Sequence, residues 1–269
     1  MAWVRRELDE LGIPPLKRFG QHFLIDAQVR ENLVQLANLA PDDVVLEVGP
    51  GLGFLTAALV QKAGRLIAVE KDRTLAEYLT TKFETKSNLT ILQGDVLKAK
   101  LPDFTKIVSS PPYNISSKLI LLLLNSRFRH AVLLLQQEFV GRLMASSGSR
   151  EYGRLSVMFQ CKAQATAASS VSASAFYPSP RVESTIAVIE PKRNPPEIHN
   201  MTVFTDLVRA LFTQRRRKLK GVLSRYLKSK YSTELQAVPG QGPLLEKRVF
   251  QLTPAELSDL SNQITHNMS

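Results

Sequence analysis

Short runs of Val, Ile and Leu recur through the first two thirds of the chain, and each is followed by a turn and a longer segment with helical spacing. The runs lie at residues 44–48, 66–69, 89–92, 106–108 and 131–135. Runs this short and this apolar are typical of strands that are buried on both faces of a parallel sheet. The alternation of strand and helix therefore predicts an α/β fold with a doubly wound, Rossmann-like sheet.

The pattern becomes helical after Pro191. A strand is predicted at residues 184–189, and the Lys-Arg-Asn-Pro-Pro stretch that begins at Lys192 has the composition of a linker. Beyond it, apolar residues recur at helical spacing, and a last helix is predicted to begin after Thr253. We therefore predict two domains, residues 1–191 with the sheet and residues 192–269 as a small all-helical domain.

Positive charge is concentrated in this second part. The chain has 269 residues with 35 Lys and Arg against 24 Asp and Glu, a net charge of +11. Residues 192–230 contain eleven of these basic residues and two acids, a local net charge of +9. Such a segment predicts a polyanionic partner, nucleic acid before membrane, and the equal alternative is a solvated helix face. Four consecutive cations, predicted to lie on a helix, are our candidates for phosphate contacts: Arg215, Arg216, Arg217 and Lys218.

Cysteine content and apolar segments favour an intracellular protein. The single Cys161 cannot form an intrachain disulfide, and no cluster of metal-ligating residues surrounds it. The N-terminus has no apolar signal core, and the longest strongly apolar run, residues 119–124, is too short to span a membrane. We expect a cytoplasmic monomer with no metal and no membrane partner.

A glycine-rich turn follows the first predicted strand. It has the pattern G-x-G-x-G at Gly49, Gly51 and Gly53, where glycine lets the backbone turn tightly and approach a ligand closely. A dinucleotide site would have glycine where Phe54 stands, and the Gly-Lys-Ser/Thr of a phosphate-binding loop is absent. The pattern alone does not identify the ligand.

Two carboxylates end the next two predicted strands. Glu70 follows Gly49 by twenty-one residues, at a position where a carboxylate can accept hydrogen bonds from both hydroxyls of a ribose. Asp95 could accept one from an adenine amino group. Taken singly, each is more typical of an ordinary turn residue. Together with the glycine turn, one feature on each successive strand, they favour a ligand that contains adenosine.

The fourth predicted strand ends in a Ser-Pro-Pro-Tyr loop at the same edge of the sheet. Two prolines stiffen the loop, the carbonyl of Pro111 and the hydroxyl of Ser110 are acceptors, and Tyr113 has a flat aromatic face. An adenine amino nitrogen is a poor nucleophile because its lone pair is delocalised into the ring. Two acceptors on its hydrogens favour a more tetrahedral nitrogen whose lone pair can reach an electrophile, while Tyr113 stacks on the ring.

With this loop the sequence resembles the amino-group methyltransferases that use S-adenosylmethionine, and within them the KsgA family of small-subunit rRNA adenine N6,N6-dimethyltransferases. The similarity runs nearly from end to end. The motifs that carry it are residues 18–24, Arg-Phe-Gly-Gln-His-Phe-Leu; residues 47–53 at the glycine turn; residues 152–156, Tyr-Gly-Arg-Leu-Ser; residues 176–182, Phe-Tyr-Pro-Ser-Pro-Arg-Val; residues 212–218, Phe-Thr-Gln-Arg-Arg-Arg-Lys; and residues 252–256, Leu-Thr-Pro-Ala-Glu.

The resemblance implies a role for each matching residue. His22 and Leu24 would contact the methionine part of S-adenosylmethionine, Gly49 and Gly51 would form its turn, Glu70 would bind its ribose and Asp95 its adenine. The target adenine would meet Ser110, which also borders the cofactor, and Pro111, Tyr113 and Phe176. The implied substrate is a pair of neighbouring adenosines in a hairpin near the 3′ end of small-subunit rRNA, each dimethylated after its base leaves the helix stack.

Two features distinguish this chain from most of that family. Most members have Asn where Ser110 stands, and a serine hydroxyl can still accept a hydrogen bond from the amine, directly or through a water. Many bacterial members have Asn where His22 stands, so the chain is closer to the archaeal and eukaryotic branch. The alternatives are a methyltransferase of the related Erm type, which acts on one adenosine of large-subunit rRNA, and a mainly non-catalytic assembly factor of the small subunit.

Overall fold

A computed structural model describes residues 2–12, 21–233 and 242–268. The strands are β1 (Phe23–Leu24), β2 (Val44–Val48), β3 (Arg65–Glu70), β4 (Leu89–Gln93), β5 (Lys106–Ser109), β6 (His130–Gln136), β7 (Ala163–Val171), β8 (Phe176–Tyr177) and β9 (Ser184–Pro191). The helices are α1 (Ala2–Glu10), α2 (Ala27–Leu36), α3 (Phe54–Leu59), α4 (Arg73–Lys82), α5 (Ser116–Leu123), α6 (Gln137–Met144), α7 (Arg154–Gln160), α8 (Met201–Phe212), α9 (Leu219–Tyr231), α10 (Gly242–Glu246) and α11 (Pro254–Met268). Arg18, Phe19 and Gly20 of the first motif lie outside the described residues.

Seven of the strands in the described part of the chain form one mixed sheet, in the order β4-β3-β2-β5-β6-β9-β7. The strands from β2 to β6 run parallel, and β9 pairs antiparallel with β6. The five predicted parallel strands and the α/β fold class are thereby confirmed. The chain order reverses between β2 and β5, and the carboxyl ends of the strands beside such a reversal form the usual binding crevice of an open α/β sheet.

Local sequence signals at the helix starts and in the strands explain why the α/β sheet was predictable. Asp26 and Asp72 are the N-caps of α2 and α4, where their side chains accept hydrogen bonds from Val29 N at 3.0 Å and Leu75 N at 3.1 Å. The central strands β2 and β6 are almost entirely buried, as a sheet covered by helices on both faces requires.

A second, two-stranded sheet joins distant parts of the sequence. β1 pairs antiparallel with β8, so that Phe23 lies opposite Tyr177 and Leu24 opposite Phe176. The motif near the N-terminus and the Phe-Tyr-Pro motif are separated by about 150 residues in sequence. Their pairing carries His22 and Leu24 to the same place as Phe176.

The chain divides into two compact units. The first contains Met1–Val140 and Ala165–Pro191, and the second contains Gly141–Gln164 and Lys192–Ser269. The limit at Pro191 coincides with the limit drawn from the sequence. The second unit also includes residues 141–164, which the sequence analysis assigned to the sheet domain; there Tyr152, Val157 and Cys161 are buried in the same apolar cluster as the helices α8, α9 and α11.

The four consecutive cations of the second unit are not on a helix, so that part of the prediction is wrong. Residues 213–217 form turns between α8 and α9, and Lys218 is the extended N-cap of α9. Long-range main-chain bonds set this break, because Val249 N donates to Arg217 O and Phe250 N donates to Arg215 O, both at 3.0 Å. Lys218 also forms an isolated antiparallel bridge with Arg248.

In the described ranges of the chain, none of the helices has both the length and the apolar composition that a membrane crossing needs.

Candidate active site

A cavity of about 260 Å³ lies in the first unit at the carboxyl ends of β2, β3 and β5. It opens at the point where the strand order reverses. Every residue predicted to contact the cofactor or the target base lines this cavity: His22, Leu24, Gly49, Gly51, Glu70, Asp95, Ser110, Pro111, Tyr113 and Phe176. The four predicted phosphate-contact cations belong to the other unit and do not line it.

The glycine turn is tied to the end of the neighbouring strand. Gly49 and Gly51 have φ values of +69° and +59°, which favour glycine, and the N–H of Gly51 donates to Glu70 Oε2 at 3.1 Å. The other carboxylate oxygen of Glu70 accepts from Asp72 N at 2.9 Å. Burial of Glu70 raises the pKa of its carboxyl, and these main-chain donors oppose that rise.

A second buried carboxylate, Glu47, lines the cavity one strand away. Its side chain is 1% exposed, and Thr56 Oγ1 donates to its Oε2 atom at 2.7 Å. Burial raises the pKa of the Glu47 carboxyl to about 8, against the opposing effect of the Thr56 bond, and the nearby Glu70 raises it further. A cationic ligand in the cavity would stabilise the ionised forms of both carboxylates.

Asp95 lies at the end of β4 with its carboxylate ordered by its neighbours. Lys71 Nζ donates to Asp95 Oδ2 at 3.0 Å, and Leu97 N donates to Oδ1 at 3.0 Å. The Lys71 hydrogen bond lowers the pKa of the Asp95 carboxyl, so this group is an ionised acceptor at neutral pH.

The Ser-Pro-Pro-Tyr loop is locked to the glycine turn. Ser109, the last residue of β5, donates through its hydroxyl to Val48 O at 2.7 Å and accepts from Val48 N at 3.2 Å. A Cβ atom at Gly49 would lie 3.1 Å from Cδ of Pro112, so the two loops are in close contact. This contact brings the Ser110 and Pro111 acceptors beside the turn expected to hold the cofactor.

Three rings meet at the end of this loop. The imidazole of His22 stacks on Tyr113 with centroids 5.7 Å apart and planes at 28°, and Phe176 approaches Tyr113 edge-on at 6.3 Å. His22 Nδ1 lies 2.7 Å from Pro178 O, so the Nδ1 atom carries the proton and donates to that carbonyl. Phe176 is fully buried. One face of Tyr113 is therefore covered by His22, a contact that the sequence did not predict.

Sequence reasoning missed one residue that lines this cavity, Glu47, and one that contacts a lining residue from behind, Ser184. Glu47 lies inside the strand predicted at residues 44–48, and its signal is that a carboxylate in a buried strand needs polar partners or a ligand. Ser184, whose Oγ atom lies 2.6 Å from the Tyr113 hydroxyl, gave no local signal because the pair is 71 residues apart.

The second unit contains a groove lined with cations. Arg217, Lys218, Arg225 and Arg248 border it together with Gln214 and Gly221. Arg215 is half-buried instead: its guanidinium donates to Arg150 O at 2.6 Å and lies over the Phe250 ring at 5.6 Å. Two of the groove's cations, Arg225 and Arg248, are absent from the sequence-based set.

Comparison with known proteins shows the family to which the chain belongs. Residues 16–265 match the sequence model of the family described as ribosomal RNA adenine dimethylase. The chain belongs to the ribosomal RNA adenine dimethylase family. This membership confirms the predicted family and the predicted enzyme class, which is an rRNA adenine methyltransferase. It also confirms that the Rossmann-like sheet is of the methyltransferase type.

Individual relatives agree with the family. A protein of Thermococcus onnurineus, named as a probable ribosomal RNA small subunit methyltransferase A, is 40% identical over 97% of this chain and 96% of its own. A Methanosarcina mazei protein of the same name is 38% identical over 91% and 92% of the two chains. Both organisms are archaea.

Two solved structures share the fold of this adenine dimethylase. A dimethyladenosine transferase from Plasmodium falciparum superposes with a TM-score of 0.81 at 25% identity, covering 91% of this chain and 98% of that one. The 23S rRNA methyltransferase ErmE gives a TM-score of 0.66 at 26% identity, covering 90% and 99%.

Proposed function

We propose that this protein transfers methyl groups from S-adenosylmethionine to N6 of two adjacent adenosines in the hairpin near the 3′ end of small-subunit rRNA. Each adenosine receives two methyl groups. The observation that carries the proposal is the meeting, around one cavity, of the glycine turn with Glu70 and the Ser-Pro-Pro-Tyr loop. We further propose that the enzyme acts in the cytoplasm as a monomer on immature small subunits.

The chemistry of the cavity fits the cofactor. S-adenosylmethionine carries a sulfonium and an ammonium, and two buried carboxylates, Glu47 and Glu70, line the cavity. Glu70 would accept hydrogen bonds from the ribose hydroxyls and Asp95 one from the adenine amine. His22, Leu24, Gly49 and Gly51 would border the remaining part, and Ser110 would lie between the cofactor and the target base. We propose these residues as the cofactor site.

The loop after β5 would prepare the target nitrogen. Bound S-adenosylmethionine would supply an electrophilic methyl carbon. The amine nitrogen would form a bond to this carbon while the carbon–sulfur bond breaks and leaves its electron pair on sulfur. The nitrogen would then lose a proton to water. The Ser110 hydroxyl and the Pro111 carbonyl would accept hydrogen bonds from the amine and direct its lone pair. Tyr113 would stack on the base through the face that His22 leaves open, and Phe176 would border it from the edge of Tyr113.

The cation-lined groove of the second unit supports a role in RNA docking. Arg217, Lys218, Arg225 and Arg248 line one surface, and the exposed Arg216 neighbours them in sequence. Clustered cations neutralise phosphates and release counterions, which favours binding to a polynucleotide. We propose Arg216, Arg217 and Lys218 as phosphate contacts, and we assign Arg215 to holding the loop because its guanidinium donates to main-chain carbonyls.

The test is methylation of small subunits that lack the modification. Purified protein is incubated with labelled S-adenosylmethionine, and the modified rRNA fragment is read by mass spectrometry. We expect two adjacent dimethylated adenosines, and we expect Tyr113→Ala to abolish the label while rRNA binding is retained. No incorporation into any rRNA, under conditions in which an archaeal member of the family is active, would contradict the proposal.

Two other outcomes separate the alternatives. Label on a single adenosine of large-subunit rRNA would favour the Erm type, which the fold similarity to ErmE keeps as the second candidate. If Tyr113→Ala and Glu70→Ala abolish methylation but support normal subunit assembly in cells, the main function is binding.

A further inference from the structure

The hydroxyl of Tyr113 has a single described polar partner, and it comes from a distant strand. Its oxygen lies 2.6 Å from Oγ of Ser184, the first residue of β9. Ser184 is fully buried, and the Tyr113 ring is partly buried. Ser184 does not line the cavity, so this contact acts on Tyr113 from behind the site.

The sheet topology explains why this serine reaches the loop. β5 and β6 are parallel, with Ser109 opposite Leu133, so the carboxyl ends of both strands lie at the same edge of the sheet. β9 runs antiparallel to β6 and places Ser184 opposite Gln136, the last residue of β6. The first residue of β9 therefore lies at the same edge as the end of β5, and the ladder of hydrogen bonds with β6 fixes the backbone that carries it.

The other contacts of the Tyr113 ring leave its tilt open. His22 covers one face and Phe176 meets an edge, and ring contacts of this kind are less directional than a hydrogen bond. A hydrogen bond of 2.6 Å is directional and fixes the far end of the ring. We propose that Ser184 is a positioning residue that holds Tyr113 in the orientation needed to receive the target adenine. This proposal rests on the function proposed for the cavity.

The consequence concerns the chemical step more than binding. The amine lone pair must line up with the methyl carbon, and a small error in the plane of the base is a large error at N6. A loosened Tyr113 still offers an aromatic face, so RNA affinity changes little. The second methylation is the more sensitive step, because the amine then already carries one methyl group and has less room to adjust.

The experiment compares Ser184→Ala, Tyr113→Phe and the double variant in the full chain. Steady-state methylation gives kcat and the KM for the small subunit, calorimetry gives cofactor affinity, and mass spectrometry gives the ratio of monomethyl to dimethyl adenosine. We expect each single variant to lower kcat about 10- to 100-fold and to enrich the monomethyl product, with KM and cofactor affinity within about twofold of wild type. The double variant is expected to equal the worse single variant, because both remove the same bond.

A matched control loses a buried serine hydroxyl elsewhere. Ser258 is fully buried in α11 of the second unit, where its hydroxyl donates to Glu197 O at 2.5 Å, and Ser258→Ala is expected to leave kcat unchanged. The proposal is overturned if Ser184→Ala keeps the wild-type kcat and product ratio, or if the double variant multiplies the two single effects. If the wild-type protein methylates no rRNA, the proposed function fails instead, and NMR still tests the contact. A hydroxyl proton shared by Tyr113 and Ser184, whichever of the two donates it, is expected to be protected from exchange in wild type and to be lost in Ser184→Ala. Absence of any such protected proton in wild type overturns the inference.

Discussion

Glu70 holds the glycine turn of the neighbouring strand, because its Oε2 atom accepts the hydrogen bond of Gly51 N at 3.1 Å while Oε1 accepts from Asp72 N at 2.9 Å. One side chain thus joins the end of β3 to the turn after β2. This arrangement gives the carboxylate two tasks, since it orders the turn and would also bind the ribose. Substitutions at Glu70 and in the turn are therefore expected to act on the same property, cofactor affinity.

The first prediction replaces the carboxylate by an amide. In Glu70→Gln one of the two main-chain donors, Gly51 N or Asp72 N, faces an NH₂ group and loses its acceptor. We expect cofactor affinity, measured by calorimetry, to fall about 10- to 100-fold, in line with the loss of a charge-assisted hydrogen bond. Glu77→Gln is the matched control, because Glu77 is exposed on α4 and pairs with Arg73. Unchanged cofactor affinity in Glu70→Gln would show that the turn does not depend on this side chain.

The second prediction concerns the space beside Gly51. A Cβ atom there would lie 2.8 Å from Cδ1 of Phe23, and the φ of +59° strains any other residue. Gly148 provides the control, because its φ is +87° but a Cβ atom would meet nothing within 4 Å. We expect Gly148→Ala to cost only the backbone strain, about 1–2 kcal/mol in chemical denaturation. Gly51→Ala is expected to cost more and also to weaken cofactor binding; equal losses in the two variants would contradict this.

The parts of the fold that were predictable are those that local sequence determines. The strand predicted at residues 44–48 coincides with β2, and the helices α2 and α4 begin at the local N-caps Asp26 and Asp72. Buried parallel strands are continuous apolar runs, and N-caps depend on three neighbouring residues. For the same reason the glycine turn and its acids were placed correctly at one edge of the sheet.

Features that depend on distant partners were not predictable. The segment at residues 215–218 has the composition of a helix, but main-chain bonds to Val249 and Phe250 hold it as a turn. The contact between Ser184 and Tyr113 exists because β9 is antiparallel to β6, and nothing near either residue in sequence specifies that direction.

The third prediction is a pH dependence of stability that originates at Glu47. Burial raises the pKa of this carboxyl in the folded protein to about 8, whereas the ordinary value is 4.5. Between these two pH values the folded chain holds a proton on Glu47 that the unfolded chain has lost. The contribution of Glu47 to the free energy of unfolding therefore decreases as pH rises, and this decrease ends above about pH 8. Glu47→Gln removes the titrating group and keeps an acceptor for Thr56.

Denaturation curves between pH 5 and 8 measure this effect. We expect the free energy of unfolding of Glu47→Gln to rise relative to wild type as pH increases through this window. Glu77→Gln, which retains Glu47, is expected to follow wild type. A constant difference between Glu47→Gln and wild type across the window would contradict the raised pKa.

The fourth prediction separates the proposed phosphate contacts from a cation that holds the loop. Arg216→Gln combined with Arg217→Gln, called the groove variant, removes two exposed charges at and beside the groove. We expect weaker rRNA binding and a salt dependence whose slope falls by about one for each lost phosphate contact, with cofactor affinity unchanged. Arg215→Gln is expected to act differently, because its guanidinium donates to Arg150 O. It should lower the free energy of unfolding and leave the salt slope near that of wild type.

A loss of net charge alone would also weaken RNA binding, so the control removes the same charge from the sheet unit. Lys62 and Lys86 are exposed there, and the double variant Lys62→Gln with Lys86→Gln matches the groove variant in charge. Filter binding of both variants at several salt concentrations gives the slopes. If the control lowers the salt slope as much as the groove variant does, the electrostatic contribution to rRNA binding comes from the long-range field of the whole protein. The groove is then not the docking surface.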